Sequence, residues 1–216
     1  MFGNVLEEKM TMLAGVSYID FLVPGLVMMA LLQNSFANSA SSILQSKIIG
    51  NMMFVLMPLF SGCQLAAAYI CASVVRGLVV AAGVFAASPF WTVPPLAHPI
   101  WALFFALYGA GIMASLGVIC GLWAEKYDQM GAFQTFVILA LTFLSGVFYS
   151  VSQLPPLWAK LSLLNSFFYK IDGLRYGFFG KSDFPAWLSL TVTASSCLAL
   201  VFAATMFFVK GYKLVK

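Results

Sequence analysis

The sequence predicts an all-α, polytopic membrane protein built as a single domain, and three observations carry that fold class. Hydrophobic residues make up 62% of the 216-residue chain and charged residues 8%, whereas a soluble domain has about a quarter of its residues charged. Five stretches are long and apolar enough to cross a bilayer, a crossing that takes about 20 residues. No such stretch alternates with period two, so helices that close their own backbone hydrogen bonds are expected rather than barrel strands.

In chain order the expected spans are Ile19–Ala40, Leu65–Ser88, Ile100–Ala124, Gly131–Tyr149 and Ala186–Val209. The first ends in "NSFANSASS", which puts Asn34, Asn38 and Ser41 or Ser42 on one helical stripe. Two readings apply to that stripe. Its amides and hydroxyls can hydrogen-bond neighbouring helices, or they can wall a path for a partly polar substrate. Arg76 falls near the centre of the second span. A charge at that depth is expected to face the bundle interior or a wet cavity, with the carbonyls of Asn34 and Asn38 as candidate partners. In the third span, Ala110, Ala114, Gly117 and Gly121 form a small-residue stripe for close helix packing, within the chain or between two copies.

Two apolar stretches remain. Ile48–Phe60, "IIGNMMFVLMPLF", is short for a span and suits a segment lying in the interface or against a partner. The other, Leu154–Phe179, is interrupted by Pro155, Pro156, Lys160, Asn165, Lys170, Asp172 and Arg175. Since a central charge costs about 2.5–3.5 kcal/mol on insertion scales, a lipid-exposed crossing there is disfavoured. The segment around 150–180 is expected to dip into one face and return, buried against protein. Lys210, Lys213 and Lys216 crowd the end of the last span, which predicts a cytoplasmic C-terminus. Five crossings then put Met1 outside.

Several function classes are excluded. The net charge is +4 without a Lys/Arg run, so no nucleic-acid footprint exists. "MFGNVLEEKMTML" has an acidic pair where a signal peptide has basic residues. Cys63, Cys71, Cys120 and Cys197 fall in apolar stretches without C-x-x-C spacing, which predicts buried, inert thiols. "GFFGKS", Gly177–Ser182, has two residues between its glycines where a phosphate-cradling loop needs four. His98, the only histidine, is expected in a turn. Glu125 and Asp128 flank Lys126 in a short solvated loop. No catalytic residue, cofactor site or metal site is expected.

"FLSGVFYSVSQLPPLWAKLSLLNSFFYKIDGLRYGFFG" (Phe143–Gly180) resembles the permease subunits of bacterial ABC-2 type exporters. Leu144, Ser145, Gly146 and Phe148 match the family's ending of the fifth span. Leu154 and Pro155 match the link, and Leu164, Asn165, Tyr169, Arg175 and Tyr176 match the segment before the last span. Phe21–Ser42 is similar to the family's second span and "VVRGLVV" to its third. Three departures stand out. The family's first span is absent, Ser166 replaces a common Pro, and Met52, Met53 and Phe54 stand where the coupling helix usually carries acidic residues.

The resemblance implies a subunit that pairs with a second copy of itself and with a separate ABC ATPase. ATP hydrolysis in that partner would drive export of a lipid-linked, glycan or drug-like cargo across the bacterial inner membrane. It also implies that 150–180 forms re-entrant half-helices at the outer mouth, with Phe167, Phe168, Tyr169 and Tyr176 at headgroup level. An interfacial extracellular hairpin is the alternative. On this basis Asn34, Asn38, Ser42 and Arg76 are expected in the substrate pathway, and Lys47, Asn51 and Phe54 at the ATPase contact. Asn165, Tyr169, Arg175 and Tyr176 are expected at the outer gate. The rival readings are a non-transporting scaffold derived from such a permease and a membrane-embedded enzyme.

Overall fold

A computed structural model describes residues 18–51, 61–90, 95–147, 166–180, 182 and 184–210. The first helix, α1 (Tyr18–Ile49), runs well past the expected end at Ala40. Its polar second half is no obstacle, because Ser41 and Ser46 donate back to Asn38 O and Ser42 O in the same helix. Asp20 in the first turn and Lys47 in the last complement the helix dipole. Gly50, at φ 80°, ends the helix in the left-handed conformation that glycine adopts without a steric penalty. Lys47 and Ile48 therefore belong to a span rather than to a separate interfacial segment, and 52–60 lie outside the described residues.

Helix α2 (Gly62–Ala87) starts at a capping box. Ser61 Oγ accepts from Gln64 N, and Gln64 Oε1 accepts from Ser61 N. A 3-10 turn, Ser88–Phe90, follows it. Helix α3 (Pro99–Trp123) begins with proline in its first turn, where the missing N–H would have had no helical partner. Next, α4 (Tyr127–Phe133) runs through a π-helical stretch, Gln134–Leu139, into α5 (Ala140–Leu144). The fourth expected span, Gly131–Tyr149, falls largely on this composite helix. The chain resumes with α6 (Ser166–Phe179) and closes with α7 (Ala186–Val209).

Among the described residues, α1, α2, α3 and α7 are long and apolar enough to cross a membrane. They are unequal partners. The apolar windows of α1 and α3 are 50% and 61% buried, against 22% for both α2 and α7, so α1 and α3 form the interior pair. The small-residue stripe makes this possible. Ser39 Oγ donates to Ala114 O at 2.9 Å, and a Cβ added to Gly117 would lie 2.1 Å from Ser39 Oγ. The stripe thus packs within the chain. One turn earlier on α1, a Cβ on Gly77 of α2 would lie 1.9 Å from Ser35 Oγ.

The outward faces carry Val75, Val79, Phe104, Phe136, Leu198 and Phe202, an apolar belt suited to lipid. Cys120 and Cys197 are buried as expected, whereas Cys63 and Cys71 are exposed. Both lie on α2 beside its exposed Gln64, Ala67, Ala68 and Ala72, a face that apolar composition alone could not distinguish from a buried one.

Candidate functional site

Helix α6 is about 21 Å long at 1.5 Å per residue, too short for a hydrocarbon core of about 30 Å. It lies inside the protein. A Cβ on Gly173 would lie 2.2 Å from the Phe105 ring of α3, and one on Gly177 would lie 2.7 Å from Ala102 Cβ. Continuing that antiparallel register puts Ser166 about level with the middle of α3. The carbonyls at the far end of α6 are met by the chain entering α3, with Ala97 N donating to Phe178 O and His98 N to Gly177 O. His98 serves as the expected turn residue, its ring stacked 5.2 Å from that of Tyr176.

This burial explains how α6 holds charge. Arg175 Nη2 donates to Gly146 O at 2.7 Å and to Val147 O at 3.1 Å, carbonyls just beyond α5, where a helix end is electronegative. The guanidinium also lies 3.8 Å from the centroid of the Phe21 ring of α1. Gly25 of α1 leaves room for this junction, since a Cβ there would lie 2.9 Å from Val147 O. Asp172 Oδ2 accepts from Phe184 N at 3.4 Å. Lys170 is fully buried, with Nζ 4.2 Å from the centroid of Phe167 and no hydrogen-bond acceptor among the described residues. Phe167 and Phe168 are buried in protein, on a helix that packs against α3 and α7.

The expected gate residues do not converge on one point. Tyr169 faces the Phe184 ring at 6.4 Å. Tyr176 meets His98 and, at 5.7 Å, Trp101, while Arg175 faces α5 and α1. Asn165 lies outside the described residues. A broad cleft of about 730 Å³ opens beside Tyr176, walled also by Trp101, Phe184 and Trp187.

Two of the pathway candidates, Asn38 and Arg76, do meet. Arg76 Nη1 donates to Asn38 Oδ1 at 2.8 Å, Asn38 Nδ2 to Ser73 Oγ at 3.0 Å, and Ser73 Oγ to Tyr69 O at 2.8 Å. Arg76 is exposed on the outside of the described chain, not turned into the bundle. Ser73 and Gly77 occupy the face of α2 that packs on α1, which leaves Arg76 at its margin. Asn34 Nδ2 donates to Ala30 O in its own helix, and no bond from Arg76 to Asn34 is seen among the described residues. Ser42 is half-buried in the same helix.

Of the partner-contact candidates, Asn51 is exposed and Phe54 lies outside the described residues. Lys47 has an unforeseen role. Its Nζ donates to Leu122 O at 2.6 Å, Ala124 O at 2.8 Å and Gly121 O at 3.4 Å. An ammonium thereby caps the C-terminal carbonyls of α3 and ties them to the end of α1.

Residues 1–179 match the family model described as "ABC-2 type transporter". The chain belongs to the ABC-2 type transporter family. It is 39% identical over 186 residues to "Inner membrane transport permease YadH" of Escherichia coli strain K12, a match covering 86% of this chain and 72% of the relative. A protein of the same name from Shigella flexneri matches with the same identity and coverage. The chain is therefore an α-helical, multi-pass membrane subunit of a transporter family.

Proposed function

We propose that this chain is the permease subunit of an ATP-driven exporter in the bacterial inner membrane. It pairs with a second copy and with a separate ABC ATPase, and its lysine-rich C-terminal end faces the cytoplasm. The observation that carries this reading is the family match over residues 1–179, together with the relatives' name as inner membrane transport permeases.

Lys47 and the segment that follows it, including Asn51 and Phe54, form the cytoplasmic contact with the ATPase. Because Lys47 holds the end of α3, movement of that segment is passed to two interior helices together. Cargo moves past Asn34, Asn38, Ser42 and Arg76. At the outer mouth α6 acts as the gate, with Asn165, Tyr169, Arg175 and Tyr176 anchoring it in the closed position. ATP binding and hydrolysis belong to the partner subunit.

Detergent extraction of the tagged chain from its native membrane tests this reading. An ATP-hydrolysing protein should co-purify, and its activity should fall with Phe54→Asp. Purification without any ATPase, from membranes in which the candidate partner is expressed, would favour the scaffold reading instead.

A further inference from the structure

Arg76 stands about 21 Å from the start of α2 and about 17 Å from its end, at 1.5 Å per residue. That is the middle of a span, beyond the distance a side chain can snorkel to either headgroup layer. It is nevertheless exposed, beside the exposed residues Val75 and Val79. A guanidinium facing hydrocarbon at this depth is costly unless something outside the described chain accepts its hydrogen bonds.

The chain fixes which part of the fork is offered. The hydroxyl of Ser73 already donates to Tyr69 O, so towards Asn38 it can only accept. Asn38 must therefore present its NH₂ to Ser73 and its Oδ1 to Arg76, which has no acceptor atom of its own. One Nη1 hydrogen is thus engaged, and among the described residues no second acceptor is seen for the guanidinium. Nor is a carboxylate near it among the described residues. Asp20 lies in the first turn of α1, Glu125 and Asp128 beside the α3–α4 turn, and Asp172 on α6.

We propose that Arg76 is the recognition point for the anionic group of an amphiphilic cargo, a phosphate or carboxylate carried on an apolar body. The planar fork matches two oxygens of such a group at once. Val75 and Val79 on the adjoining surface suit the apolar part. This names a cargo class for the pathway described above and rests on that reading.

The test uses the full chain in nanodiscs of phosphatidylcholine, with a fluorescent short-chain phosphatidic acid as probe and its neutral diacylglycerol analogue as control. Saturable binding of the phosphatidic acid is expected, weakened at least tenfold by Arg76→Gln and only partly restored by Arg76→Lys. Asn38→Asp keeps the arginine but occupies its fork, and it should also weaken binding, so the result does not hang on one variant folding. Excess inorganic phosphate should compete poorly; effective competition would overturn the amphiphile assignment. Equal binding of the neutral analogue, or unchanged affinity in both variants, would overturn the site. Loss of self-association without loss of probe affinity would assign Arg76 to contact with a second copy and would also overturn it. Binding needs no ATPase, so failure here is distinct from failure to capture the partner subunit.

Discussion

Two arginines lie on helices of this chain, and they are held in opposite ways. Arg175 is buried on a short helix, with two backbone carbonyls and an aromatic ring gathered around its guanidinium. Arg76 is exposed on a full-length span and tethered through one nitrogen to an amide that is itself held by a serine. The first joins three parts of the fold, α6, the end of α5 and the start of α1. The second joins α2 to α1 and leaves the rest of its fork facing outward. The difference teaches that a charge in an apolar bundle signals function only after its neighbours have been counted. Arg175 is enclosed by structure, and Arg76 keeps an exposed guanidinium.

That contrast can be broken or sharpened by substitution. The largest loss is expected from Gly173→Ala, because the new Cβ would fall 2.2 Å from a Phe105 ring that is itself fully buried. Overpacking of this kind costs about 1–3 kcal/mol and more where the neighbour cannot move. It should show as a lowered melting temperature in detergent or as failure to assemble. Arg175→Leu should cost about 2–3 kcal/mol, since hydrogen bonds to charged groups contribute about 1.5–3 kcal/mol. The same melting curve measures it.

A smaller effect is expected at the opposite end of the bundle. Lys47→Met removes the cap on α3 and should cost about 1 kcal/mol. If the proposed coupling holds, it should also reduce the ATPase activity of the captured partner by more than its effect on melting explains. Arg76→Leu should be the mildest for stability, within about 0.5 kcal/mol, because the lost bond to Asn38 is offset by removing an exposed charge from an apolar surface. Transport of cargo should nonetheless fall.

Much of the fold was legible because lipid imposes a simple demand on composition. Hydropathy located α2, α3 and α7 to within a few residues. The small-residue stripe of α3 correctly announced a close helix contact. The length of α1 was not legible, because serines that donate to their own helix look like a loop in sequence. Nor was the side of α2 on which Arg76 sits, since the orientation of a span depends on which neighbour it meets. For α6 the charges indicated burial against protein, but not which groups receive them. The carbonyls that accept from Arg175 are backbone atoms and leave no trace in residue identity. One available signal was overlooked. Gly173 and Gly177 repeat the small-x-x-x-small spacing of a tight helix contact, and they mark the face of α6 that docks on α3.

The most direct measurement is a paired thermal melt of Arg175→Leu and Arg76→Leu beside the parent chain in one detergent. A loss of about 2–3 kcal/mol lowers the melting temperature of a protein this size by about 4–12 °C. That fall is expected for Arg175→Leu, with little change for Arg76→Leu. Equal falls in the two variants, or a larger one for Arg76→Leu, would contradict the division of labour between them.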